Sequence, residues 1–273
     1  MQKFKSLFLI AFLSVLAISG LAACSTLTTQ KQTTQTPKVI FLAGATGVIG
    51  EPLSKALVAR GYTVYGTTRS QSSAVHLQSL GVVPVVLDVF DAKAVEQAVL
   101  SARPDVIINQ VSSLPKGLAE DKMPEGLKQD AKARLASSKN LIAVAPKAGV
   151  TKFINQSFMY YAPSDTPLNE NSPWLDEADE TYGESIRAVR EVERMTLAGD
   201  FTPVVLRYGW LYGGKSGFDT AVDGYPSVPV AMAVDATVRA VEADVKGVYN
   251  IAEESPLIDV SKFKKAVPAW QSH

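Results

Sequence analysis

Three glycines in Gly44-Ala45-Thr46-Gly47-Val48-Ile49-Gly50 follow directly on the apolar run Val39-Ile40-Phe41-Leu42-Ala43. The pattern reads as a buried strand ending in a glycine turn that opens a helix. Glycines there let backbone N–H groups approach a phosphate and let the helix pack close to the strand, while the helix N-terminus supplies partial positive charge. A Gly-rich turn that binds nothing is the plainer alternative, but a place inside a strand-turn-helix unit favours the pyrophosphate of a dinucleotide. Gly44, Thr46, Gly47, Val48 and Ile49 are therefore the expected phosphate-holding residues. Two later strand ends add polar groups. Arg69 stands where a site for an unphosphorylated ribose more often has an acid, and a guanidinium there suits a 2′-phosphate through a charge-assisted bidentate contact. NADP is thus preferred over NAD, which stays possible, as does an Arg69 that is simply a solvated turn residue. Asp88 can accept from an adenine amine with Val89 covering the ring, or it can cap the next helix.

These residues need elements to hold them at one edge. β-branched apolar runs alternate with amphipathic stretches, the sign of βα units and a parallel sheet. Strands are expected over 39–43, 62–69, 82–89, 105–111, 152–158, 203–208 and 248–251. Helices are expected over 52–60, 73–80, 92–102, 125–148, 184–198 and 234–243. That order implies an α/β, doubly wound parallel sheet whose ligand crevice lies at the carboxyl ends of the strands.

The chain resembles the extended short-chain dehydrogenase/reductase superfamily, of the NAD-dependent epimerase/dehydratase type. The resemblance rests on Gly44 to Gly50, on Leu87-Asp88-Val89, on Pro104-Asp105-Val106-Ile107-Ile108-Asn109-Gln110, and on Asn140-Leu141-Ile142 leading to Gly149-Val150-Thr151-Lys152-Phe153. It continues in Leu206-Arg207-Tyr208-Gly209-Trp210-Leu211-Tyr212-Gly213 and Gly247-Val248-Tyr249-Asn250-Ile251. It implies a Rossmann fold, cofactor contacts from Asn109 and Gln110, and catalysis by a serine after the fifth strand with a Tyr-x-x-x-Lys pair. In such a pair the lysine cation lowers the phenol pKa for proton exchange while a nicotinamide moves hydride. Ser157 and Tyr182 occupy the first two positions, but Ile186 stands where the lysine belongs. Arg187 is one residue on, rotated by about 100° on a helix, and it holds its proton. Either Tyr182, Tyr160 or Tyr161 works without lysine, or the domain binds nucleotide without turnover as a sensor or envelope interaction protein. The stretch from Gly214 to Ala233 is also short for the family, which implies a reduced substrate lobe over about 209–273. A small carbonyl or alcohol then suits the chain better than a large sugar nucleotide. A homodimer through the helices over 125–148 and 184–198 is implied by analogy with the family.

The first residues read as an export signal. Met1-Gln2-Lys3-Phe4-Lys5 is basic, Leu7 to Ile18 is apolar, and Leu21-Ala22-Ala23-Cys24 resembles the lipobox of bacterial lipoproteins. The resemblance implies a signal over 1–23, diacylation of Cys24, and a membrane anchor; Ser25 fits the outer membrane, facing the periplasm. An uncleaved span is the alternative, since the apolar stretch approaches the roughly 20 residues needed. Residues 24–37, rich in Thr and Gln, read as a flexible tether. With no Arg-Arg pair in the basic segment, export is expected in the unfolded state, before any cofactor binds. Residues 38–273 suffice for one α/β domain with a full core. The 27 basic and 27 acidic residues balance, so nothing in the net charge favours nucleic acid. A single cysteine excludes an intrachain disulfide, and two histidines, His76 and His273, are too scattered for a metal site.

Overall fold

The computed structural model describes residues 38–272, so the signal, Cys24 and the tether lie outside the described residues. In order, the elements are β1 (Val39–Ala43), α1 (Gly50–Ala59), β2 (Thr63–Thr68), α2 (Gln71–Ser79), β3 (Val83–Val86), α3 (Ala92–Ala102), β4 (Val106–Asn109) and α4 (Met123–Val144). They continue with β5 (Lys152–Phe158), α5 (Gly183–Leu197), β6 (Thr202–Tyr208), β7 (Trp210–Tyr212), β8 (Ser227–Pro229), α6 (Val230–Glu242), β9 (Gly247–Ile251) and α7 (Ser261–Ala266). Seven strands form one sheet in the order β3-β2-β1-β4-β5-β6-β9, every pair parallel. The chain order reverses between β1 and β4, the switch point where open α/β sheets bind ligands.

Each crossover buries an apolar stripe against the sheet. On α1 the stripe is Leu53 and Leu57, one helical turn apart and fully buried. Burying each side chain contributes about 1.5–3 kcal/mol. One face of the sheet packs with α1 and α6 through Ile40, Leu42, Ile108 and Leu206; the other packs with α3 and α4 through Phe41, Ile107 and Phe153. The 125–148 helix ends sooner than its periodicity implies. Its last residues, Pro146–Ala148, form a separate 3-10 turn, because proline has no N–H for the helical ladder. Lys152 on β5 ties α6 down by donating to the carbonyls of Ala240, Val241 and Ala243 at 2.9, 3.3 and 2.6 Å.

The substrate lobe is not the continuous block 209–273. Both α6 and β9 belong to the main layers, since β9 pairs with β6 and α6 packs on α1. Outside the main sheet lie the β7–β8 pair, the crossing segment 159–182, and the chain after β9. Segment 159–182 is bridged at Tyr161–Trp174 and at Leu168–Ile258, so it closes on the C-terminal part through backbone bonds. The C-terminal tail is fixed by Trp270, 1% exposed, whose ring meets Phe263 at 5.0 Å.

Candidate active site

The strand carboxyl ends open into one crevice of about 1230 Å³. Single small-molecule sites occupy about 300–1,000 Å³, so it has room for a dinucleotide and a modest substrate together. At one end lies the glycine turn, whose three glycines have different reasons to be there. Gly44 has φ +80°, and a Cβ on it would come within 2.6 Å of the Gln110 carbonyl oxygen; a Cβ on Gly50 would lie 2.0 Å from the Gly44 oxygen. Both are demanded by the fold. Gly47 is exposed, and a Cβ there would meet only the Gly44 oxygen at 3.3 Å. Its missing side chain therefore serves the open surface above the α1 N-terminus, the place a pyrophosphate would occupy. The turn is held by the Gly47 N–H donating to the Gly44 oxygen at 3.0 Å and by the Gly44 N–H donating to Thr67 Oγ1 at 3.0 Å. Thr46 and Val48 line the crevice. Ile49 lines it too, but its side chain is 4% exposed and belongs to the core, so its contribution is backbone.

Arg69 follows β2 at the crevice edge, exposed and without an ion pair among the described residues. Ser70 beside it caps α2, accepting from the Ser73 N–H at 3.2 Å. A free guanidinium next to a helix N-terminus fits a phosphate. Asp88 does not cap the next helix. Asp91 performs that function, accepting from Lys93 and Ala94 at 3.0 Å each, while Asp88 closes a turn by accepting from the Phe90 N–H at 3.0 Å. Asp88 and Val89 remain at the crevice wall, steadied by Asn140 donating to the Val89 carbonyl at 2.8 Å.

Asn109 is a correction. It is 2% exposed and turns into the fold, donating to Ser137 and Ser138 on α4 at 3.1 Å each while its Oδ1 accepts from the Val111 N–H. An amide at that register is used to tie β4 to α4, not to meet a cofactor. Gln110 does line the crevice. Its amide donates to the Tyr208 hydroxyl at 3.0 Å, and its buried Oε1 has no partner among the described residues.

The chemical end departs from the serine, tyrosine and lysine arrangement. Ser157, 2% exposed, donates to Glu193 Oε1 at 2.6 Å, and Glu193 is clamped by Arg207 through Nε at 2.8 Å and Nη2 at 2.6 Å. Burial pulls the Arg207 pKa down, but the Glu193 contacts outweigh it and the guanidinium is held above its ordinary value. With its one proton on a carboxylate, Ser157 has no donor left for a substrate oxygen. Tyr161 is likewise engaged: it donates to Asn250 at 2.7 Å, accepts from Arg207 at 2.8 Å, and is buried, which removes it as an acid/base candidate. Tyr182 opens α5 at the crevice wall, its backbone N–H held by Asp179 at 2.7 Å. Ile186 is fully buried one turn further on, outside the crevice lining.

Two residues that sequence reasoning missed stand beside these phenols. Arg134 and Asp130, one turn apart on α4, pair at 2.5 Å and line the crevice, and Asp130 also accepts from Ser112 Oγ at 2.7 Å and the Ser113 N–H at 2.6 Å. The legible signal was Asp-x-x-x-Arg on a helix face otherwise lined by Leu127, Ala131 and Ser138. Tyr160 lies against Tyr182, with ring centroids 5.7 Å apart, and within electrostatic reach of Arg134. Burial pushes the Tyr160 phenol up to about 12, with Arg134 and Ser185 pulling the other way. Tyr160 thus keeps its proton at neutral pH and can act as a donor.

A glycine turn at a sheet switch point and a phenol pair in one crevice are set on an α/β fold with a parallel seven-strand sheet. Residues 40–225 match the NAD dependent epimerase/dehydratase family, and the chain belongs to that family. A Streptomyces 3-diazoavenalumate denitrifying reductase is 34% identical over 240 residues, 80% of this chain and 76% of the relative. Among solved structures, UDP-glucose 4-epimerase of Thermotoga maritima with UDP-glucose gives a TM-score of 0.68 at 19% identity, over 86% of this chain and 93% of that one. The UDP-glucose 4-epimerase of Thermus thermophilus, in complex with NAD, gives 0.68 at 18% identity over 86% and 94%. At such identities these neighbours show the fold alone.

Proposed function

We propose that this protein is an NADP-dependent oxidoreductase that reduces a small carbonyl compound or similar electrophile. The observation that carries the reading is the open surface at Gly47, above the α1 N-terminus, in the same crevice as Tyr182 and Tyr160. Gly44, Thr46, Gly47, Val48 and the Ile49 backbone would hold the pyrophosphate, with Gln110 on the adjoining wall, and Arg69 with the α2 N-terminus would hold a 2′-phosphate. The nicotinamide, when bound, supplies hydride. The phenols of Tyr182 and Tyr160 would present protons to the substrate oxygen. Ser157 acts as a positioning residue that fixes Glu193 and the end of β5. The identity to a reductase over most of both chains favours reduction over epimerisation.

The reading is tested by titrating the protein with NADPH and NADH by calorimetry. NADPH is expected to bind more tightly, and Arg69→Ala is expected to weaken NADPH at least tenfold while leaving NADH within twofold; equal affinities in the wild type would remove the role of Arg69. Ile186 favours a second reading, nucleotide binding without turnover. NADPH oxidation with aldehydes or ketones that Tyr182→Phe abolishes would reject it. We also propose that Cys24 carries lipid and holds the domain at the cell envelope, on the strength of the Leu21-Ala22-Ala23-Cys24 tetrad.

A further inference from the structure

Beyond the nucleotide end, the crevice is walled by a continuous string of rings. Tyr182 meets Tyr160 at 5.7 Å, Tyr160 meets Phe158 at 4.7 Å, Phe158 meets Trp210 at 5.5 Å, and Trp210 meets Phe218 at 5.9 Å. All five are partly buried, all line the crevice, and none belongs to either hydrophobic core cluster. Aromatic surface gathered in a concavity without supporting a core points to a ligand that covers it.

The polar groups among these rings are mostly engaged already. Ser112 donates to Asp130, Asp130 accepts three bonds, Gln156 donates to the Val111 carbonyl at 2.7 Å, and Ser157 is taken by Glu193. A polyhydroxylated sugar would find few donors and acceptors here. Arg134 is one exception, with the Tyr182 hydroxyl and the exposed Lys116 also on the crevice wall. Only the Arg134 Nε–H is used, on Asp130; its two terminal amino groups have no partner among the described residues, and the residue lines the crevice. Asp130 holds the guanidinium by its flank, so the forked end remains for a planar anion. The crevice is also bridged where Gly217 comes against Gly117 and Leu118: a Cβ on Gly217 would lie 2.9 Å from Leu118 Cγ and 3.0 Å from the Gly117 carbonyl carbon. That contact limits the length of a substrate at this end.

We propose that the crevice takes an aryl compound bearing a carboxylate, its ring on the wall running from Tyr182 to Trp210 and its anion on the free end of Arg134. The proposal rests on the oxidoreductase reading for the role of this compound as substrate, while the binding it requires stands independently. A ring so placed lies beside the two phenols. The arrangement makes Arg134 a specificity-determining residue.

The test uses the full chain saturated with NADPH, with trans-cinnamate, its neutral isostere cinnamamide and UDP-glucose as probes, binding being read by calorimetry and by saturation-transfer NMR. Cinnamate is expected to bind at least tenfold more tightly than cinnamamide. Arg134→Gln is expected to erase that preference with NADPH affinity within twofold, Arg134→Lys to keep part of it, and Trp210→Leu to weaken both aryl probes. Equal affinity for cinnamate and cinnamamide in the wild type, no aryl binding at millimolar concentration, or tighter binding of UDP-glucose than of cinnamate would overturn the proposal. Should Arg134→Gln not fold, the acid-against-amide comparison in the wild type still decides. NADPH is titrated separately, so a protein that binds cinnamate but not NADPH would sink the nucleotide reading alone.

Discussion

Ile186 carries more information than the catalytic residues around it. In the resemblance its position calls for a lysine that acidifies a tyrosine, yet the side chain here is fully buried and away from the crevice lining. An ammonium at that point would be taken out of water. Ile186→Lys is therefore expected to lower stability by about 3–5 kcal/mol, the range for an uncompensated buried charge, without raising turnover. Chemical denaturation and a steady-state assay check both parts, and a stable variant with higher turnover would restore the lysine mechanism. Arg134 on α4 pulls the Tyr160 phenol down, against the larger upward effect of burial. Ser157 shows the same substitution of roles. The residue type is right for hydrogen-bonding a substrate, but Glu193 on α5, itself held by Arg207 on β6, accepts its proton in a buried network.

At the scale of elements, the β1-turn-α1 unit separates demands of the fold from demands of a ligand. Gly50→Ala would drive a Cβ to 2.0 Å from the Gly44 oxygen, so the turn must distort. The expected destabilisation is about 1–3 kcal/mol or more, as for overpacking in a tight core. Gly47→Ala meets only a 3.3 Å contact. It is expected to fold with stability within about 1 kcal/mol of wild type, yet to lose NADPH affinity at least tenfold. Thermal unfolding beside calorimetry distinguishes the two, and a Gly47→Ala protein that binds NADPH normally would show that the open surface is not the phosphate place. The strands and crossover helices of this unit and its neighbours were readable because period-2 and period-3.6 patterns are local. The β7–β8 pair, the 3-10 turn at Pro146–Ala148 and the fold-back of segment 159–182 onto Ile258 were not. The strand pair and the fold-back depend on partners far along the chain, and the turn on where the packing of α4 stops.

For the whole molecule, sequence and structure speak about different parts. No helix among the described residues is long and apolar enough to cross a membrane; the lipid anchor proposed at Cys24 lies outside them. The full chain is expected to partition into detergent with the membrane fraction, and Cys24→Ser to move it to the aqueous phase; wild type and variant partitioning alike would remove the anchor. The outer faces of α4 and α5 expose Lys128, Lys132, Lys139, Arg187, Arg190 and Arg194. Arg190 and Arg194 are paired with Glu177 and Glu191, so the exposed cations of these helices are partly neutralised within one copy.

The sequence by itself determined the sheet of parallel strands, the glycine turn at its switch point and the crevice edge marked by Arg69 and Asp88. Each of these is written in a short stretch with its own periodicity or backbone freedom. Only the tertiary structure decided that Asn109 faces α4, that the Ser157 proton belongs to Glu193, and that Arg134 lies beside Tyr160 with its amino groups free. Hydrogen bonds and ion pairs between elements join residues remote in the chain, and no local pattern records which proton or charge will be taken by which neighbour. The glycine turn thus fixes how α1 opens onto the crevice, whereas the arrangement of side chains beside it follows from how α4, α5 and β6 converge on β5.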